Sequence, residues 1–328
     1  SLTEAVEAGM ITEDQIDISL KKLLKIQFRL GMFDPQDKVP YSKIGAEVLE
    51  SKPHQQQALK MARQSMVLLK NEKQLLPLSS KIKKIALLGP NANNGTTQLG
   101  NYNGIPSKNA TLLDALRAEK GIEVVYDSIS DFITLQPGID LQHYAEKYKD
   151  VDLIIYAGGI SALLEGEEGD TGNVEGFYRG DRTTINLPAV QTQVMQMLQK
   201  SGKPMIFICM SGSAIAFNWE SQHIPAIIQA WYGGQAAGTA LADILFGRYN
   251  PSGKLPITFY RSDSDLPAIE DYSMKNRTYR YFNGDVLYPF GYGLSFTKFK
   301  FKKLNVPQEV QIGDTINIST EVVNTGKS

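Results

Sequence analysis

The sequence predicts an α/β fold in which a mostly parallel six-stranded sheet is sandwiched by helices. Three observations carry that prediction. Short runs such as residues 151–157 and 204–210 are apolar with little alternation, as strands buried on both faces must be. Segments whose apolar residues recur at helical spacing alternate with these runs, the pattern of a parallel sheet covered on both sides. Glycine pairs mark the junctions, Gly158 and Gly159 after one run and Gly233 and Gly234 after another.

In chain order, residues 1–30 are helical in pattern. Thr12 is an N-cap, Glu13 and Asp14 suit a first turn, and Ile16, Leu20, Leu23, Leu24 and Phe28 share one face; Gly31 takes the C′ position. Residues 34–51, with two prolines and several charges, form a linker. A second helix is expected over 52–70, with Pro53 early and Ala58, Met61, Ala62, Ser65, Met66 and Leu69 on its inner face. Strands are then expected at 85–89, 122–126, 151–157, 204–210, 224–231 and 255–259. Helices are expected at 112–117, 141–148, 189–199 and 236–246. Gly233 and Gly234 permit a tight turn, and Gly238 lets the last helix approach the sheet closely. Residues 299–301 and 315–323 alternate like half-buried strands. These readings divide the chain into segments 1–51, 52–297 and 298–328.

Composition sets the outer limits. The 328 residues are 42% hydrophobic, 21% charged and 9% aromatic, an ordinary globular profile with enough apolar content for a sizeable core. A net charge of −1 gives no electrostatic footprint for nucleic acid or an anionic membrane. No segment approaches the ~20 apolar residues of a membrane helix. The single cysteine, Cys209, lies in an apolar run and reads as a buried structural thiol. The histidines His54, His143 and His223 fall on different elements without ligand spacing, so no metal site is expected. GPNANNG, residues 89–95, fits neither nucleotide-loop pattern.

The chemistry concentrates in the loop after residues 151–157. It holds Glu165, Glu167, Glu168, Asp170, Glu175 and Asp181, with Arg179 and Arg182 the basic residues among them. Ligands of open α/β sheets bind beyond the carboxyl ends of strands, where this loop lies. Crowded carboxylates repel, which favours a retained proton on at least one, as a general acid requires. A solvated acidic loop has the same composition, and a non-catalytic α/β binding module stays open on these grounds.

The motifs narrow the choice. GGISALLEGEE followed by GDRTTINLPAVQ resembles the acid/base loop of glycoside hydrolase family 3, especially its β-xylosidase-like branch. ARQSMVLLKNEKQLLPL, WYGGQAAGTALADILFGRYNPSGKLPITF and YRYFNGDVLYPFGYGLSFT resemble phrases of that family's second domain. AVEAGMITEDQIDISLKKLLKIQFRLGMFDP resembles the segment that closes its N-terminal barrel. The resemblance implies that 1–51 is the end of a barrel plus linker and 52–297 the six-stranded sandwich domain. Residues 298–328 would open a fibronectin type III-like domain, whose sandwich needs ~100 residues.

In mechanism the resemblance implies a retaining exo-acting β-glycosidase that needs no cofactor. A barrel aspartate is the nucleophile, and a second-domain carboxylic acid serves as acid/base. Glu165 is the preferred acid/base, because it occupies the first glutamate of an Ile-Glu-x-Glu-like phrase; Glu167 follows, then Glu168. The longer stretch between Glu168 and Asp181 leaves the matching of individual glutamates open. Trp231 is a candidate sugar contact, and Asp181 with Arg182 reads as a structural pair. The nucleophile motif is not in this sequence, so the chain is expected to be an inactive piece of a longer enzyme whose partners are a glycoside substrate and its own barrel. β-Xylosidase is the first expectation and β-glucosidase the alternative. The resemblance further implies a periplasmic or extracellular setting. Weak self-association, which light scattering would detect, is expected from apolar surface around the glutamate loop.

Overall fold

The first helices follow their capping signals. In the computed structural model, which describes residues 1–166 and 173–326, Gly9 at φ +66° splits the N-terminal pattern into α1, Leu2–Glu7, and α2, Glu13–Arg29. Thr12 and Gln15 form a capping box: the Gln15 N–H donates to Thr12 Oγ1 at 3.3 Å and the Thr12 N–H to Gln15 Oε1 at 2.9 Å. The chain divides by contact into two units, Ser1–His54 and Gln55–Ser328, and the main sheet lies in the second.

Its elements run from α3, Lys52–Ser65, to β1, Val67–Asn71, β2, Lys84–Leu88, and two short helices, α4, Gly95–Leu99, and α5, Leu112–Arg117. Next come β3, Glu123–Asp127, α6, Leu141–Lys147, and β4, Leu153–Gly159. A two-residue ladder, β5, Phe177–Tyr178, with β6, Asp181–Arg182, precedes α7, Ala189–Gln199. Then follow β7, Met205–Met210, α8, Asn218–His223, β8, Ala226–Gln229, α9, Ala237–Leu245, and α10, Thr278–Tyr281. The last strands, β9, Phe299–Asn305, and β10, Ser319–Asn324, pair antiparallel with most of their side chains exposed.

The main sheet has the order β1-β8-β7-β4-β2-β3; β1 is antiparallel to β8 and the other pairs are parallel. Six mostly parallel strands were expected, but the membership differs. The helix expected over 52–70 stops at Ser65, and Val67–Asn71 turns into an edge strand. The apolar spacing that looked helical is the alternation of Val67 and Leu69 to one face with Leu68 to the other. Conversely, residues 255–259 form no strand. Pro256 has no N–H to give a ladder, and the segment joins its neighbours through single contacts such as the Phe259–Tyr288 bridge.

Two apolar layers cover the sheet. On β4, Ile154 and Tyr156 face one core while Leu153, Ile155 and Ala157 face the other; on β7, Phe207 and Cys209 oppose Ile206 and Ile208. The first layer carries an aromatic cluster in which Phe217 meets Phe207 edge-on at 5.6 Å. Complete burial pushes the Cys209 thiol up and keeps it protonated.

Because β2 is flanked by β3 on one side and β4 on the other, the direction of winding reverses between β2 and β4, and the crevice opens beyond their carboxyl ends. Two glycines let the chain leave the sheet there. Gly89, at φ +100°, would place a Cβ 2.3 Å from the Ala157 carbonyl oxygen; Gly159, at φ +109°, would place one 2.0 Å from that of Met210.

One buried acid in this unit supports a pH prediction. Glu220 of α8 is 1% exposed and accepts a hydrogen bond from the Thr192 hydroxyl at 2.6 Å. Burial holds its carboxyl above the ordinary value of 4.5. The folded state therefore binds this proton more tightly than the unfolded chain. The stability linked to it is complete below about pH 4.5 and is lost as pH rises through the raised folded value. Glu220→Gln keeps the acceptor and removes the charge. Thermal melts are expected to show no change near pH 4 and a gain of roughly 2–4 °C near pH 8; an equal effect at both pH values would contradict the assignment.

Candidate active site

Three adjacent parallel strands, β4, β7 and β8, end at one side of the sheet, and the loops leaving them meet there. The β4 loop runs through Ser161 to Glu165, with the Glu165 N–H bonded to the Ser161 carbonyl at 3.1 Å. The β7 loop supplies Gly212 and Ser213, and the segment after β8 supplies Tyr232. All three donate to the half-buried Glu165 carboxylate. Oε1 accepts the Gly212 N–H and the Tyr232 hydroxyl, each at 2.5 Å, and Oε2 accepts the Ser213 hydroxyl.

Behind this cluster stands Arg182 of β6. Its Nη1 donates to Ser213 Oγ and to the Ala214 carbonyl, both at 2.7 Å. Its Nε and Nη2 are buried and have no hydrogen-bond partner among the described residues. Burial lowers the guanidinium from its ordinary value, and the Glu165 carboxylate opposes that shift. Burial, reinforced by the charge and hydrogen bond of Glu165, pushes the Tyr232 phenol up, so its hydroxyl stays a donor. Arg182 and Ser213 also line a cavity of about 500 Å³ whose walls include Ile185, Pro256, Ile257 and Leu266.

Of the sequence-predicted residues, Glu165 thus lies at the carboxyl ends of the strands, on the β7 and β8 side of β4. Glu167 and Glu168, like Asp170, lie outside the described residues. Glu175 and Asp181 are exposed. Arg182 turns from its neighbour Asp181 to the β7 loop, so its hydrogen bonds go to Ser213 and Ala214. Trp231 is part-buried and packs edge-on against Phe259 at 6.0 Å. Its φ of +56° is a left-handed conformation that a bulky residue adopts at a cost, and it immediately precedes Tyr232.

Residues not singled out in the sequence complete the frame. Gln191 of α7 is fully buried and holds the two peptide groups that flank the Gly159 Cα: its Oε1 accepts the Gly159 N–H at 2.8 Å and its Nε2 donates to the Gly159 carbonyl at 2.7 Å. Asn91, in the GPNANNG turn, donates to the carbonyls of Gly158 and Ile160 at 3.0 and 3.3 Å. That turn therefore braces the exit of β4. Gly212, Ser213 and Tyr232 each follow the last residue of a parallel strand by two or three positions, a regularity from which the crevice rule could have found them. Among the described residues no group of three or more His, Cys, Asp or Glu side chains is gathered as a metal site requires, and no helix is long and apolar enough to cross a membrane.

Fold and site together define an α/β-sandwich domain that presents a carboxylate loop at its strand ends. The family model of the glycosyl hydrolase family 3 C-terminal domain matches residues 66–296, and the chain belongs to that family. It is 32% identical to a xylan 1,4-β-xylosidase of Xylanibacter ruminicola, over 99% of this chain and 54% of that protein. It is 31% identical to a periplasmic β-glucosidase of Salmonella typhimurium, over 98% of this chain and 46% of that protein. Among solved structures, a GH3 exo-β-xylosidase in complex with a xylobiose aziridine probe aligns with TM-score 0.79 at 28% identity, over 92% of this chain and 39% of that one. A β-glucosidase from Erythrobacter marinus aligns with TM-score 0.82 at 28% identity, over 99% and 46%. The chain thus spans about half the length of the relatives it matches.

Proposed function

We propose that this chain supplies the acid/base half of a retaining exo-acting β-glycosidase, with β-xylosidase the favoured specificity. The observation that carries the reading is the carboxylate loop at the ends of β4, β7 and β8, in a chain similar to family 3 xylosidases over nearly all its length. Its similarity to a periplasmic β-glucosidase keeps that sugar as the alternative and supports a periplasmic or extracellular setting for the whole protein.

In this reading a carboxylate from outside the chain attacks the anomeric carbon. A carboxylic acid of the loop gives its proton to the departing glycosidic oxygen. The covalent glycosyl-enzyme is then opened by water, whose proton returns to the same loop carboxylate. Retention needs the two carboxyl groups about 5–5.5 Å apart, so the loop must be held firmly against the domain that brings the nucleophile. Glu165, Glu167 and Glu168 are the candidates for the transferring group.

The test is hydrolysis of 4-nitrophenyl β-xyloside and β-glucoside by the protein with its barrel, beside this chain alone and the Glu165→Gln, Glu167→Gln and Glu168→Gln variants. The xyloside is expected to be cleaved faster and the chain alone to be inactive. One glutamine variant is expected to lose about 10²–10⁴-fold activity, restored by azide. Turnover by the chain alone, or a barrel-bearing protein that cleaves neither glycoside, would refute the proposal.

A further inference from the structure

Glu165 differs from the loop's other described acids, Glu175 and Asp181, which are exposed. Its two oxygens already hold three donors, and each donor is committed. The Gly212 N–H can only donate. The Tyr232 hydroxyl keeps its proton because burial and the neighbouring carboxylate oppose its loss. Ser213 Oγ accepts from Arg182 Nη1 at 2.7 Å, which leaves its own proton for Glu165. Three of the about four lone-pair sites of the two carboxylate oxygens are thus filled by protein donors, two on Oε1 and one on Oε2, so the group is held in place from two loops at once. The donors come from the ends of β7 and β8 while Glu165 comes from the exit of β4, so one carboxylate ties three neighbouring loops. The left-handed backbone at Trp231, φ +56°, sits immediately beside Tyr232.

We propose that Glu165 is a positioning residue, clamped by Tyr232, Ser213 and Gly212, which fixes the β4 loop over the strand ends and does not itself transfer the proton. The catalytic part of this inference rests on the glycosidase reading above; the clamp itself does not.

Two measurements separate them. In the 328-residue chain, hydrogen exchange is expected to show the Gly212 amide opening about tenfold faster or more in Glu165→Ala, since a charge-assisted bond is lost, and also faster in Tyr232→Phe. An unchanged Gly212 amide in Glu165→Ala overturns the clamp, with or without enzymatic activity. In the barrel-bearing protein, Glu165→Gln is expected to lower kcat/KM by about 10²-fold through misplacement of the loop. The loss should be equal for phenyl and 2,4-dinitrophenyl β-xylosides, untouched by azide, and accompanied by a smaller loss of the same kind in Tyr232→Phe. Loss confined to the phenyl glycoside and restored by azide would make Glu165 the proton donor and overturn the inference. A wild-type protein that cleaves neither glycoside refutes the glycosidase reading and leaves the exchange result to decide the clamp.

Discussion

Phe217→Ala is expected to cost about 3–5 kcal/mol, a large share of the total stability of an ordinary domain. Phe217 is 1% exposed and sits at the centre of the aromatic layer. It meets Phe207 edge-on at 5.6 Å and Phe259 at 6.2 Å, with Tyr288 at 6.0 Å. Alanine removes the ring from all three and leaves a cavity that sheet residues such as Phe207 cannot collapse into, because they are held by the β-ladder. Phe217→Leu keeps most of the volume and is expected to cost less than half as much. Urea denaturation would measure both. A loss below about 1 kcal/mol for the alanine variant would mean that the layer repacks. Phe217 also immediately precedes α8 and closes the loop that carries Gly212 and Ser213, so its loss is expected to loosen the site as well as the core.

Most of the sheet was legible because burial on both faces leaves so plain a trace. A strand such as Leu153–Gly159 must be apolar at nearly every position, and no exposed segment has a reason to be. Helix bounds came through where a cap is chemical, as at Thr12, or where the apolar face is short and bounded, as in Leu112–Arg117 and Ala189–Gln199. Edges read poorly. Val67–Asn71 became a strand through pairing with Ala226–Gln229, a contact distant in sequence, and its apolar residues alone continued the preceding helix. The site divided the same way. Carboxylates announce themselves in a sequence, so the acidic loop was visible; the donors that set what Glu165 can do were not. Repulsion among neighbouring acids argued for a retained proton on one of them. Around Glu165 the fold supplies a phenol, a hydroxyl and an amide from loops that only strand order brings together.

Gly159→Ala is expected to be the most damaging single substitution at the site, beyond about 4–5 kcal/mol and sufficient to prevent recovery of folded protein. The glycine sits at φ +109°, and a Cβ there would lie 2.0 Å from the Met210 carbonyl oxygen and 2.8 Å from its nitrogen. No rotamer relieves that clash, because the opposing atoms are backbone. Nor can the backbone swing aside: Gln191 holds the N–H and the carbonyl of Gly159, and the Ile160 N–H bonds to the same Met210 carbonyl at 2.9 Å. Gly202→Ala is the matched control. Its φ of +71° is also left-handed, but nothing lies within 4 Å of the added carbon, so only conformational strain of about 1 kcal/mol is expected. Comparing soluble yield and melting temperature of the two separates steric exclusion from backbone preference. Similar, modest losses in both would show that the ends of β4 and β7 can part. If they cannot, the glycine that ends the strand also fixes the starting point of the loop bearing Glu165, and the packing of the sheet and the placement of the carboxylate are set by one constraint.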